Sequence, residues 1–321
     1  MRKNIGGCDK GQPPSYFSPY KIPTLPDGPV GEFLTDRESA EACKFIEANQ
    51  ARPFFLYLPH HAVHTPLMAK KEVVEKYTAK IQPDQAQSTP KYAGLVESVD
   101  DSVGRVLKKL AELNLEDRTV IVFTSDNGGL VLNRVTSNVP LRAGKGSTYE
   151  GGVRVVSLIK WPGVTKPGSI IETPIISVDY FPTLLELAGV KPPAGKIIDG
   201  ESLVPLLKGT GSLKRDTLYW HYPHYHPGGA TPYSAIREGD WKLIEFFEDN
   251  HVELYNLKDD LSEQTDLAAK EVTRVAKLKT KINDWRQAVG AQLPSPNPDY
   301  DPNFKLKRAQ NQRALEKSKG E

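Results

Sequence analysis

Two segments of the chain consist almost wholly of apolar residues and end in polar turns. They are residues 53–58, PFFLYL, and residues 119–123, TVIVF. Neither run alternates between apolar and polar positions, so both predict strands that are covered on both faces in the middle of a sheet. The first run continues into PHHAVHTP. The second continues into TSDNGG, where two glycines permit the positive φ of a tight turn.

Helical patterns alternate with these strands. A capping box at residues 35–38, TDRE, predicts the start of one helix, and apolar residues spaced i, i+3 and i+4 predict another over 91–113. A further strand is predicted within 153–161, followed by a helix over 177–187 with Ser177 as its cap. This alternation of helix and strand favours a parallel sheet with crossover helices.

The pattern changes near residue 210. Short strands separated by polar turns are predicted at 233–237, 241–247 and 252–255, which indicates an antiparallel sheet. A helix is predicted over about 269–289. The chain is therefore expected to divide into an α/β domain over 1–210, a small α+β domain over 211–295 and an extended charged tail over 296–321.

Composition and charge narrow the possible functions. The 321 residues suffice for one large or two smaller domains. Because 42 Lys and Arg nearly balance 40 Asp and Glu, net charge gives no case for a nucleic-acid partner. No apolar run approaches the roughly 20 residues of a membrane span. Cys8 and Cys43 form neither a disulfide framework nor a zinc pattern, and whether they pair stays open.

Asp126 and Asn127 follow the second apolar run and are therefore expected at the carboxyl end of a strand. Ligands bind at this edge in open α/β sheets. A carboxylate beside an amide carbonyl offers hard oxygen donors, which suit Ca²⁺ or Mg²⁺. The turn alone is equally compatible with an ordinary Asx turn after a strand.

The histidines are unevenly distributed. Six of the seven lie in two groups, at positions 60, 61 and 64 and at positions 221, 224 and 226. Such clusters after strands are rarely core packing, so we expect at least one functional histidine in the first group. The second group, in YWHYPHYH, is also compatible with an aromatic loop that packs between domains.

Lys145 lies between two glycines in residues 141–154, LRAGKGSTYEGGVR. Its ammonium group and the nearby backbone N–H groups are suited to contact an anion. The spacing is not that of a phosphate-binding P-loop. On its own, Lys145 is as compatible with an ordinary surface lysine as with a functional one.

Taken in order, several segments resemble the type I, formylglycine-dependent sulfatases of the alkaline-phosphatase superfamily. They are PFFLYLPHHAVHTPL, TVIVFTSDNGG, LRAGKGSTYEGGVR, VDYFPTLLELAGV and DGESLVPLL, and the resemblance covers about residues 1–290. It implies a three-layer α/β/α sandwich, here without its first strands, and a C-terminal α+β domain with an antiparallel sheet. It also implies hydrolysis of sulfate esters of small molecules or glycans, and a periplasmic or secreted location.

The resemblance also implies roles for individual residues. Asp126 and Asn127 match ligands of one metal ion, with Ca²⁺ expected in preference to Mg²⁺ or Zn²⁺. His64 matches a sulfate-contacting histidine, and Lys145 matches a lysine that contacts the sulfate and the leaving-group oxygen. A metal ion and an ammonium group stabilise negative charge on that oxygen, and an imidazolium can donate a proton to it.

Three further histidines are candidates for substrate binding: His61 in the first group, and His221 and His224 in the second. No role can be transferred to His60.

The sequence departs from the family pattern at the nucleophile. The family converts a Cys or Ser in C/S-x-P-x-R to formylglycine, and this chain has no such motif. The family's early acidic pair and its GKWHLG-type segment are also absent. Asp100 and Asp101 do not replace the acidic pair, because adjacent side chains of a helix diverge. The expectation is an N-terminally truncated member that binds metal weakly and shows no turnover as an isolated chain.

Two other functions stay open. The first is a metal-dependent phosphoryl hydrolase of the same superfamily with a different nucleophile, whose histidine groups could hold Zn²⁺. The second is a non-catalytic protein that binds sulfated glycan through His64 and Lys145. Zinc in the purified protein would favour the first, and saturable glycan binding without turnover would favour the second.

Overall fold

The computed structural model of the protein describes residues 15–82 and 85–300. The α-helices of this part are α1 (Leu34–Asn49), α2 (Lys71–Thr78), α3 (Pro90–Glu112), α4 (Glu150–Val153), α5 (Tyr180–Leu187), α6 (Val204–Lys208) and α7 (Val272–Ala288). The strands are β1 (Ile121–Thr124), β2 (Ser157–Lys160), β3 (Thr217–Tyr222), β4 (Tyr233–Glu238), β5 (Trp241–Phe246) and β6 (Val252–Asn256).

These strands form two antiparallel sheets. β1 pairs with β2, so that Ile121 lies opposite Lys160 and Thr124 opposite Ser157. Strands β3 to β6 form the second sheet in sequential order. The expected parallel pairing is not seen among the described strands. Residues 125–156, which connect β1 to β2, contain only the one-turn helix α4 and a short 3-10 turn, so they lack the long helix that usually joins parallel strands.

The strand predicted over residues 53–58 is wrong for the described part of the chain, where no partner strand hydrogen-bonds to it. Phe54 and Leu56 pack on the apolar cluster between α1 and α3. Phe55 and Tyr57, on the opposite side, are 67% and 76% exposed. An apolar run becomes a strand only where another strand completes its hydrogen bonds, and a local pattern does not contain that partner.

β1 is also less covered than its sequence predicts. Ile121 and Val122 are half-buried, whereas Phe123 and Thr124 are exposed. The prediction of a strand covered on both faces is therefore wrong within the described structure, although the strand itself is present.

The helices over residues 90–112 and 272–288 confirm the predictions from helical periodicity. The predicted capping box is wrong: α1 begins at Leu34, and its N-cap residue, Phe33, makes no side-chain hydrogen bond. Thr35 and Glu38 are instead buried inside the helix. The Glu38 carboxylate contacts His60 instead, so this carboxylate is not available to cap its own helix.

The C-terminal sheet packs one face against α7. Leu278 and Ile282 of the helix are fully buried against Ile236, Leu243 and Leu254 of the sheet. The three strands predicted from sequence are confirmed as β4, β5 and β6. The first strand of the sheet, β3, was missed, because its histidine and aromatic residues were assigned to a loop.

Some expectations concern residues outside the described part. These are the possible pairing of Cys8 with Cys43 and most of the predicted tail, residues 301–321. The domain boundary at residue 210 stays a prediction. Across the described ranges, no helix has the length and apolar character needed to cross a membrane.

Candidate functional site

Residues 126–129 and 142–152 form one hydrogen-bonded unit beyond the end of β1. The backbone N–H of Gly128 donates to the carbonyl of Gly152, and the N–H of Lys145 donates to the carbonyl of Gly129, each at 3.0 Å. The close approach requires glycine, since a Cβ on Gly128 would lie 1.7 Å from the carbonyl oxygen of Gly151. The fold thus brings the Asp-Asn turn and the lysine turn together.

Asn138 joins the two turns from one side. Its Nδ2 lies 3.0 Å from the carbonyl oxygen of Ala143 and 3.2 Å from those of Gly129 and Gly151. Its Oδ1 accepts from the N–H of Gly129 at 3.3 Å. An amide has two N–H donors, so the three carbonyls share them. Sequence analysis missed Asn138, because nothing in SNVPLR distinguishes it from an ordinary loop asparagine.

Asp126 and Asn127 present oxygen atoms that the described protein does not use. Asp126 is exposed and has no hydrogen-bond or ion-pair partner among the described residues. Asn127 donates through Nδ2 to the carbonyl of Gly128 at 3.0 Å, which leaves its Oδ1 without a described donor. A free carboxylate beside a free amide oxygen fits a hard cation such as Ca²⁺. The described part of the chain has no group of three or more His, Cys, Asp and Glu residues suited to a metal, so this pair supplies only part of a ligand set.

His64 lies in a loop held by a buried tyrosine. The Tyr16 hydroxyl lies 2.8 Å from the carbonyl oxygen of His64 and 3.1 Å from that of His61. Burial raises the pKa of Tyr16 well above its ordinary value, so the hydroxyl remains a donor. His64 Nδ1 lies 3.1 Å from the carbonyl oxygen of Thr65, which can only accept. The Thr65 hydroxyl also lies 3.3 Å from Nδ1. Nδ1 is therefore engaged by Thr65, and Nε2 is left for a ligand. No described hydrogen bond, ion pair or ring contact joins His64 to Asp126 or Lys145.

His60 braces the same loop. Its Nδ1 lies 2.9 Å from Glu38 Oε2, and its Nε2 lies 3.3 Å from Ser102 Oγ. The order Ser–His–Glu is that of a hydrolytic triad, but Ser102 is 1% exposed in the middle of α3 and cannot meet a substrate. Glu38 also accepts from the backbone N–H of His61 at 3.3 Å. The arrangement therefore holds the histidine loop against α1 and α3.

His61 faces His64 with a ring-centroid distance of 5.7 Å. Its Nε2 is buried and has no hydrogen-bond partner in the described part of the protein. Burial, with a smaller contribution from the nearby His64, lowers the pKa of His61. The ring is thereby favoured in its neutral form, and its Nε2 is the atom left for a ligand or a water molecule.

In the second histidine group, His221 is held by the protein itself. It lies on β3, with Nδ1 2.8 Å from Ser234 Oγ and Nε2 2.8 Å from the carbonyl oxygen of Gln292. Both ring nitrogens are therefore engaged, which leaves none for a substrate. His224 is exposed and makes an edge contact with Tyr222, with ring centroids 5.4 Å apart.

The loop that follows His224 contacts the lysine turn. The backbone N–H of Ala230 donates to the carbonyl of Gly146 at 3.0 Å. This places His226, which was not selected as a candidate from sequence, against the residue next to Lys145. With His60 and His221 bonded to protein groups, the described structure does not favour a zinc site in either histidine group.

A buried charged cluster fastens the lysine turn to the C-terminal sheet. Lys242 Nζ lies 2.9 Å from Glu150 Oε1 and 2.9 Å from Glu263 Oε1. Burial raises the pKa of Glu150, but Lys242 and Arg154 outweigh it and hold this pKa below its ordinary value. Burial of Glu263 outweighs the attraction of Lys242 and raises its pKa.

Arg142 fastens the other end of the same turn. Its Nη1 donates to the Tyr255 hydroxyl at 2.9 Å and to the carbonyl of Glu263 at 2.8 Å. Its guanidinium lies 3.6 Å from the centre of the Tyr149 ring, within range of a cation–π interaction. Both ends of the lysine turn are therefore bound to residues far along the chain.

Comparison with known protein families gives two matches. The family model described as Sulfatase matches residues 6–190, more than half of the chain. The model described as N-sulphoglucosamine sulphohydrolase, C-terminal, matches residues 144–288.

Individual relatives agree with these matches. The chain is 37% identical to a sulfatase of Formosa agariphila, over 81% of this chain and 49% of the relative. It is 35% identical to human steryl-sulfatase, over 66% of this chain and 36% of the relative. The chain thus spans half or less of the length of these curated relatives.

Among solved structures, the chain resembles Ps i-CgsB in complex with k-i-k-neocarrahexaose. The TM-score is 0.72 at 32% sequence identity, and the match covers 83% of this chain and 58% of the other. The structural likeness confirms the expected α/β class with a C-terminal sheet.

Proposed function

This chain belongs to the sulfatase family, and from that premise we propose that it functions in the hydrolysis of sulfate esters. The observation that carries the proposal is the joining of two turns, one with Asp126 and Asn127 and the other with Lys145, through direct backbone hydrogen bonds. Together they offer metal-binding oxygens and a cation, two groups that can stabilise the negative charge of a sulfate ester.

Lys145 binds the sulfate group in this proposal. Its side chain has no hydrogen-bond or ion-pair partner among the described residues, so its ammonium group is available to an anion. The turn that carries it is held on both sides, which reduces the entropy lost when the lysine binds. An ammonium group near the leaving oxygen stabilises the negative charge that develops there.

Asp126 and Asn127 hold Ca²⁺ in this proposal. The family uses a metal ion, and an exposed carboxylate beside an amide oxygen fits calcium, which accepts flexible all-oxygen coordination. A bound divalent ion supplies positive charge that stabilises the sulfate oxygens as the ester bond breaks.

His64 is the proposed proton donor to the leaving oxygen. Thr65 engages Nδ1, so Nε2 is the atom from which the imidazolium form would deliver a proton. The buried brace from Tyr16 to the His61 and His64 carbonyls fixes the loop without using the His64 ring.

The residues assigned to the reaction so far do not include a nucleophile. No Cys or Ser among the 321 residues stands in C/S-x-P-x-R, so these residues do not fit a formylglycine. We therefore assign no step to that group, and we expect this chain alone to bind sulfate esters without turning them over.

A sulfated carbohydrate is the proposed substrate class. Two observations support it: the second family match, to an N-sulphoglucosamine sulphohydrolase C-terminal model, and the likeness to a structure that holds a neocarrahexaose. A periplasmic or secreted location is proposed with it, as suits an enzyme of extracellular glycans.

Calorimetric titration of the purified chain with neocarrahexaose, with and without Ca²⁺, tests the proposal. We expect binding that requires Ca²⁺, that weakens at least about tenfold in Lys145→Ala, and that the unsulfated oligosaccharide does not show. Lys166→Ala, at an exposed lysine outside the site, is the matched control and should bind as the unchanged chain does. Equal binding of the unsulfated oligosaccharide would refute the proposal, and preferential binding of a steryl sulfate would replace the carbohydrate.

A further inference from the structure

We infer that His226 contacts the substrate and donates a hydrogen bond from Nε2 to an oxygen of the sulfate ester bound at Lys145. The inference rests on the proposed function and extends it to a residue of the C-terminal part of the chain. It assigns a substrate contact to a histidine that the motif resemblance does not include.

The first step is the position of the ring. A Cβ built on Gly146 would lie 2.0 Å from His226 Nδ1 and 2.4 Å from its Cε1, so the imidazole rests directly on this glycine. A Cβ on Gly228 would lie 2.4 Å from the carbonyl oxygen of Lys145. The loop 226–230 therefore lies in contact with the backbone of the lysine that is proposed to bind sulfate.

The second step is that the protein holds this loop in place. Within the loop, the N–H of His226 donates to the carbonyl of Ala230 at 2.9 Å. The N–H of Ala230 donates in turn to the carbonyl of Gly146 at 3.0 Å. These bonds tie the ends of the loop to each other and to the lysine turn, so His226 keeps its place relative to Lys145.

The third step is the tautomer of the ring. The backbone N–H of Gly228 donates to His226 Nδ1 at 2.9 Å. A nitrogen that accepts this bond carries no hydrogen, so the neutral ring must carry its hydrogen on Nε2. The described residues offer no acceptor to Nε2. The backbone therefore prepares a hydrogen-bond donor beside Lys145, and a sulfate ester is rich in acceptor oxygens.

His224 and His221 do not have this arrangement. The nitrogens of His221 are both engaged by protein groups, and His224 makes only an aromatic edge contact. Within the second histidine group, His226 alone combines contact with the lysine turn, a fixed tautomer and an unengaged Nε2 in the described structure.

The test compares His226→Asn with His224→Asn in the calorimetric titration with neocarrahexaose and Ca²⁺. Asparagine Oδ1 can accept the Gly228 N–H in place of Nδ1, so His226→Asn retains the loop contact and removes only the distal donor. We expect about tenfold weaker binding for His226→Asn and a change within about twofold for His224→Asn. Thermal melting of both variants checks that the fold is retained.

A second measurement does not depend on a variant. Ring ¹⁵N NMR of the histidine-labelled chain should show His226 as the Nε2–H tautomer, with an Nε2 signal that shifts when neocarrahexaose binds. An Nδ1–H tautomer, or an Nε2 signal unmoved at saturation, would overturn the inference.

The outcomes separate this inference from the proposed function. If Lys145→Ala loses binding and His226→Asn does not, the inference is wrong and the proposed function stands. If the unchanged chain fails to bind the sulfated oligosaccharide, the proposed function is wrong and the inference falls with it.

Discussion

Lys242 Nζ lies 2.9 Å from Glu150 Oε1, and this contact joins strand β5 to the turn that carries Lys145 across 92 positions of the sequence. The two side chains are only 1% and 4% exposed. Charges removed from water are costly unless they are paired and hydrogen-bonded. The ion pair therefore makes the position of the turn that carries Lys145 depend on the C-terminal sheet.

Lys242→Met should strongly destabilise the protein. It removes the shared counter-ion of Glu150 and Glu263 and leaves both carboxylates buried. We expect a loss of about 3–5 kcal/mol in the free energy of unfolding, measured by urea denaturation. Lys277→Met is the matched control, because its pair with Glu238 is exposed and should contribute less than about 1 kcal/mol. Similar losses in the two variants would show that the buried cluster has no special role.

Asn138→Asp should loosen the two turns while it preserves side-chain shape. The substitution replaces the Nδ2 donors, which face the carbonyls of Gly129, Ala143 and Gly151, with an oxygen that repels them. We expect a loss of about 1–3 kcal/mol in unfolding free energy and weaker Ca²⁺ binding by calorimetry. Asn133→Asp, at an exposed asparagine of the 3-10 turn Leu132–Arg134 without a described side-chain hydrogen bond, should leave both quantities nearly unchanged. Unaltered calcium affinity in Asn138→Asp would argue against coupling between the turns.

Gly128→Ala and Gly104→Ala should change stability in opposite directions. A Cβ on Gly128 meets the Gly151 carbonyl oxygen at 1.7 Å, so the backbone of both turns must shift. A Cβ on Gly104, in the exposed middle of α3, meets nothing within 4 Å. Alanine there should stabilise the helix by up to about 1 kcal/mol. Thermal melting of the two variants checks the contrast, and a Gly128→Ala protein as stable as the unchanged one would contradict the close approach.

His61 should make the protein sensitive to mild acid. Burial, with the nearby His64, lowers the pKa of His61 in the folded protein, so the unfolded chain takes up this proton more readily. Stability from the neutral ring is therefore fully present above the ordinary histidine pKa of about 6.5 and decreases as pH falls below it. Urea denaturation at pH 7.5 and pH 5.5 should show a smaller acid loss in His61→Gln than in the unchanged chain. Equal losses would place the acid sensitivity elsewhere.

Local patterns predicted the helices best. α3 and α7 lie within about three residues of their predicted bounds, because an apolar stripe at helical spacing and the hydrogen bonds of a helix both lie within one segment. The segment over 53–58 shows the opposite case. Its composition favours a strand, but a strand depends on hydrogen bonds to another part of the chain, which the described structure does not supply.

The candidate site divides in the same way. Four residues could be selected from sequence: Asp126, Asn127, His64 and Lys145. Each lies in a short motif that one segment of the sequence contains in full. Asn138 and His226 could not, because what distinguishes each of them is its contact with backbone atoms of another loop. His60 and His221 show a limit of composition. Both lie in histidine clusters of the sequence, but the ring nitrogens of both lie at hydrogen-bond distance from protein groups in the structure.

The sequence by itself determined the α/β class, the long helices, the C-terminal strands and the residues that we propose to bind a cation and a sulfate. Only the tertiary structure decided that the Asp-Asn turn lies against the lysine turn, and that Lys242 and Arg142 fasten the latter to the C-terminal sheet. The reason is physical. Periodicity and turn residues act over a few positions, whereas the approach of two glycine-rich turns and the pairing of buried charges depend on chain segments that meet only after folding.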